Sequence, residues 1–74
     1  MQTNEFVTSQ RKQIGEKLAD FRKRKNMTQE ELALTLGITK SSINKMEKGV
    51  WISLEMIIRL SEVLDFKIEL LESK

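Results

Sequence analysis

Residues 28–49, T-Q-E-E-L-A-L-T-L-G-I-T-K-S-S-I-N-K-M-E-K-G, leave the backbone little choice. Thr28 followed three residues later by Glu31 is a capping box. Each side chain takes up a backbone N–H that the first turn of a helix would otherwise leave without a partner. The helix it opens contains Leu32, Ala33 and Leu36 and stops at Gly37, because a left-handed closing residue is least costly as glycine. Thr39 can cap again at once, so a second helix runs from Lys40 to about Lys48, with Gly49 as its stop. Two helices separated by Gly37-Ile38 alone must cross at close range. Ala33 suits that crossing, where a larger side chain would push the helices apart. Ile38, Ile43 and Met46 are the apolar positions that pack the second helix. Such a unit is a tight helix-turn-helix.

The flanks add two more helices. Thr8 or Ser9 can cap a first helix running to about Lys25, with Ile14, Leu18 and Phe21 as one buried stripe at i, i+4 and i+7. Its last turn, Arg22 to Lys25, is cationic and so opposes the helix dipole. Ser53 caps the other, with Glu55 in the first turn. This last helix is apolar over most of its circumference, through Leu54, Met56, Ile57, Ile58, Leu60, Val63 and Leu64, with Glu55, Arg59 and Glu62 as its polar stripe. One core face does not need that much apolar surface, so part of it is expected to meet a second subunit.

Phe66-Lys67-Ile68-Glu69-Leu70 alternates apolar and charged, which is strand periodicity, although Phe66 and Leu70 also fit a helical i, i+4 pair. A lone strand cannot satisfy its backbone. It would pair with the same strand of a second subunit across a two-fold axis, or with Asn4–Val7. The expected fold class is therefore all-α: a compact four- to five-helix bundle containing a helix-turn-helix, with a short strand-like or dimerisation tail over 66–74.

A chain of 74 residues has room for one domain, 1–74. A domain of this size buries only about 60% of the surface its unfolded chain exposes. There is no Cys to cross-link it, so dimerisation is an obvious way to enlarge the core. The absence of Cys and His excludes a zinc finger, a Cys or His nucleophile, a thiol redox centre and a Ser-His-Asp triad. No metal and no cofactor are expected: Gly15, Gly37 and Gly49 stand too far apart to form a phosphate loop. Glu30, Glu55, Glu62 and Glu69 fall on solvent faces without partners for acid–base catalysis. These features point away from an enzyme. The longest apolar runs, such as Met56-Ile57-Ile58, are far short of a membrane span, and the first ten residues lack a signal-peptide core. The expected location is cytoplasmic, in association with the nucleoid.

The net charge is only +2, but it is unevenly spread. Residues 11–25 hold seven bases against two acids, whereas residues 53–74 hold three bases against five acids. That asymmetry suits a polyanion on one side of the molecule. On a helical wheel of the second motif helix, Lys40, Ser41, Asn44, Lys45 and Lys48 fall within one arc of about 140°, with Ser42, Ile43 and Met46 opposite. The arc is wholly polar. A major groove admits a helix of this kind, and its base edges offer matching donors and acceptors.

Gln29, Ala33, Gly37, Ile43 and Met46 at their spacing, followed by Glu47-Lys48-Gly49, make residues 10–65 resemble the phage Cro/repressor-type helix-turn-helix family, also called the xenobiotic-response-element (XRE) family. The resemblance implies roles position by position. Gln29 would bond a phosphate and brace a recognition-helix side chain, and Thr39 would touch the DNA backbone. Lys40, Ser41 and Lys45 occupy base-reading positions with Asn44 between them, and Lys48 occupies a backbone-contacting one. Arg22 and Glu47 match a partly buried ion pair near the DNA. The chain departs from the family in its loop Val50-Trp51-Ile52, where basic or polar residues are common. Trp51 itself is expected in the core or at a subunit interface.

The implied function is sequence-specific binding of double-stranded DNA by a homodimeric transcriptional regulator, most readily a repressor, on a two-fold symmetric operator. The alternative is an antitoxin that binds its own operator and a toxin protein. A third is an interaction module that keeps the motif only for packing.

Overall fold

The computed structural model describes residues 4–73. Among them are four helices and no strand: α1 (Asn4–Arg24), α2 (Gln29–Leu36), α3 (Lys40–Glu47) and α4 (Leu54–Leu64). Three of the helices begin at a hydroxyl cap. Thr28 accepts from the N–H of Glu31 while the Glu31 carboxylate accepts from the N–H of Thr28, at 3.0 and 2.8 Å. Thr39 accepts from the N–H of Ser42 at 3.1 Å, and Ser53 from that of Met56 at 3.1 Å. An eight-residue helix such as α2 forms few hydrogen bonds of its own, so its ends matter. Thr28→Ala removes one half of the box and is expected to lower stability by about 1 kcal/mol, read from the urea midpoint at unchanged slope.

The other ends close locally too. Gly37 adopts φ 72°, and its N–H and that of Ile38 return to the carbonyls of Leu34 and Ala33 at 3.2 and 3.0 Å. Arg59 of α4 donates to the carbonyl of Leu36 at 2.6 Å, so a side chain from another helix satisfies the end of α2. α4 ends at Asp65, itself left-handed and paired with Lys25.

The core is one cluster: Leu18 from α1; Leu32, Ala33 and Leu36 from α2; Ile43 and Met46 from α3; Met56, Leu60 and Leu64 from α4. Phe21, Met27, Ile38, Ile52, Val63 and Phe66 pack around it. Ala33 has almost no exposed surface, and α2 and α3 pack against each other as the sequence requires. α3 packs against both α1 and α2.

Three expectations need correction. α1 is already helical at Asn4, ahead of the Thr8 or Ser9 cap expected from the sequence. With no Gly or Pro before Gly15, nothing breaks the helix, and Glu5 favours its first turn. The same fact removes Asn4–Val7 as a strand partner. Within one copy residues 66–73 accordingly form neither strand nor helix, because alternation fixes which side chains share a face and the chain itself supplies no second strand to bond. Residue 74 lies outside the described residues. The tail is held at its start, where Phe66 stacks on Phe21 with ring centroids 4.7 Å apart and planes at 15°. Trp51, thirdly, does not enter the core: it is 48% exposed and shares a shallow concavity with Ser42, Lys45 and Val50, which leaves the subunit-interface alternative of that expectation standing. Among the described residues, no helix is long and apolar enough to cross a membrane.

Candidate nucleic-acid interface

The reverse of α3 is clamped: Ile43 and Met46 are each 1% exposed. Its other face stands free. Lys40, Ser41, Lys45 and Lys48 are exposed, and Asn44 is half-buried between them. Thr39 is exposed as well; its hydroxyl accepts from the Ser42 N–H and lies 3.0 Å from the Ser42 hydroxyl. The surface offered is thus a cationic strip with short hydrogen-bonding groups along one side of an eight-residue rod.

What fixes the rod is a buried polar cluster at its far end. Glu47, the last residue of α3, receives Arg22 Nε at 2.6 Å on one oxygen and Arg22 Nη2 at 3.1 Å on the other, a two-point pairing. Arg22 Nη1 also donates to the carbonyl of Met27 at 2.7 Å. Gln29, the first residue of α2, donates its side-chain amide to Glu47 at 2.9 Å. The Arg22 and Glu47 side chains are only 10% and 9% exposed. A charge pair withdrawn from water to that degree holds only with close geometry and its remaining groups bonded, and no buried side-chain polar atom is left unpartnered among the described residues. One carboxylate therefore ties α1, the α1–α2 turn and the start of α2 to the end of α3. Gln29 thus braces Glu47, a side chain of α3 itself.

Sequence reasoning passed over Gly15. A Cβ built there would lie 2.5 Å from the carbonyl oxygen of Glu47 and 2.6 Å from that of Met46. α1 thus rests backbone on backbone against the end of α3. An isolated glycine within a helical pattern, between Ile14 and Leu18, was the available signal. Arg59, which reaches from α4 to the end of α2, is in the sequence only one member of a polar stripe.

A free-standing polar helix set in a tight turn by a buried ion pair is the arrangement of a helix-turn-helix protein. Residues 18–71 match the family described as Helix-turn-helix, and the chain belongs to it, in its Cro/repressor-type (XRE) branch, a family of DNA-binding transcriptional regulators. The chain is 39% identical over 54 residues to a protein of Archaeoglobus fulgidus named "Uncharacterized HTH-type transcriptional regulator", covering 72% of this chain and 76% of that protein. It is also 39% identical over 51 residues to a Methanocella arvoryzae protein, and 35% identical over 51 residues to one of Methanosphaerula palustris. Both carry the name "Putative HTH-type transcriptional regulatory protein". Each of these two matches covers 69% of this chain but only 16% or 17% of the longer relative.

Proposed function

We propose that the chain is a sequence-specific double-stranded DNA-binding transcriptional regulator that lays α3 in the major groove, acts as a homodimer and represses transcription. The observation that carries the reading is the two-sided character of α3, with Ile43 and Met46 sealed in the core and the Lys40–Lys48 strip open to solvent. Lys45 donates to guanine O6 or N7, Asn44 pairs with adenine N6 and N7, and Ser41 bonds a neighbouring base edge. Lys40 and Lys48 serve phosphates, as do Gln29 and Thr39, positioning the protein without specifying sequence. The dimer is supported by apolar surface that one copy leaves in water: Leu54 and Ile58 on α4 are 70% and 53% exposed, and Leu70 and Leu71 of the tail protrude. A two-fold dimer sets its two reading helices about 34 Å apart, on half-sites one helical turn apart.

The roles separate experimentally. In gel shifts over a panel of singly mutated sites, Lys45→Ala is expected to relax preference at one base position, worth about 1–3 kcal/mol of discrimination. Lys48→Ala is expected to weaken every sequence alike. Identical behaviour of the two variants overturns the assignment. A monomer by light scattering, or a footprint without dyad symmetry, removes the dimer. Co-purification of a second polypeptide on the tail would instead favour the antitoxin reading.

A further inference from the structure

The family match begins at residue 18, and the part of α1 before it carries charge that the reading helix does not account for. Gly49 follows Lys48 directly and adopts φ 77°. A Cβ on it would come within 2.8 Å of the backbone of Arg11 and Lys12. Together with Gly15 against the carbonyls of Met46 and Glu47, this lays residues 11–15 of α1 across the C-terminal end of α3. At about 100° per residue, Arg11 and Lys12 flank the direction of Gly15 by roughly 40° and 60°, so both belong to the face turned toward that end.

Both residues are exposed, and neither they nor Lys48 makes an ion pair among the described residues. The negative end of the α3 dipole amounts to about half a charge, too little to account for three cations gathered there. The neighbouring loop Val50-Trp51-Ile52 brings no cation of its own. Charge is therefore supplied beside the outward strip from an element in front of the motif.

We propose that Arg11 and Lys12 bind the phosphate backbone of duplex DNA at the edge of the groove that α3 enters, so that α1 forms a second phosphate anchor beside Lys48. The proposal rests on the DNA-binding reading above. Each phosphate neutralised by a base steepens the fall of log affinity with log salt by about 0.9.

The test is the salt slope of the full chain on a duplex recovered by selection from random DNA. The variant Arg11→Gln/Lys12→Gln is compared with Lys17→Gln/Arg24→Gln, which removes the same charge from the opposite side of α1. Circular dichroism verifies that both remain helical. The first pair is expected to make the slope shallower by about 1.8 per bound subunit and to weaken selected and scrambled duplexes by the same factor. The second pair is expected to change the slope by less than half a unit. Equal slopes for the two variants, or a preference change confined to particular bases, overturn the anchor while the DNA-binding reading stands. A wild-type chain that retains no duplex at low salt overturns both.

Discussion

Glu47→Ala is expected to cost about 3–5 kcal/mol, because it leaves Arg22 charged in a site that is nearly closed to water. After the substitution Arg22 retains only the carbonyl of Met27, and the Gln29 amide loses its acceptor. Domains hold roughly 0.05–0.15 kcal/mol of stability per residue, so in a chain this short the loss consumes much of the total. Urea titration reads it as a fall in midpoint, and a loss below about 1 kcal/mol would mean that the pair is solvated like a surface contact. The double variant Arg22→Met/Glu47→Met is the informative companion. Replacing both charges by apolar groups of similar size is often neutral or stabilising, so the double variant should recover most of what the single one loses.

Gly15→Ala comes next in expected effect, and its sign runs against helix propensity. In the middle of α1 alanine would ordinarily gain about 0.5–1 kcal/mol over glycine. Here the added methyl meets two carbonyl oxygens of α3 at 2.5 and 2.6 Å, and backbone atoms cannot swing aside as a side-chain end can. Overpacking of this sort costs about 1–3 kcal/mol and at times more. The net expectation is a lower thermal midpoint, at about 4–8 °C for each kcal/mol in a domain of this size. Gln13→Ala, on an exposed position of the same helix, should stay within about 0.5 kcal/mol of wild type. A Gly15→Ala chain that melts above wild type would place α1 farther from α3 than described.

How far the sequence could be read follows the range of the interactions concerned. The caps at Thr28, Thr39 and Ser53 were legible because each is a bond across three residues. The turn at Gly37 was legible because a left-handed residue is a local matter. The arc of Lys40, Ser41, Asn44, Lys45 and Lys48 followed from helical periodicity alone, and four of the five are exposed. The Arg22–Glu47 pair, 25 residues apart in sequence, came only through resemblance to a family. The resemblance likewise gave Gln29 a recognition-helix side chain to brace without naming Glu47, and nothing in the pattern revealed that Gly15 marks the contact of α1 with α3, since both depend on which elements meet in space. Trp51 and residues 66–70 stayed open for the same reason: an apolar side chain or an alternating run indicates a need for a partner without naming one.

The left-handed glycines at 37 and 49 bracket α3 closely, and the side chains that hold it point only inward. Lys40, Ser41, Lys45 and Lys48 are exposed, and none of them belongs to the buried core. Their identities can therefore change at a cost usually within about 0.5 kcal/mol each, much as type can be reset in a fixed frame. Under the proposed function, a lineage carrying this scaffold could acquire a new target sequence through a few changes, with no compensating adjustment elsewhere in the molecule.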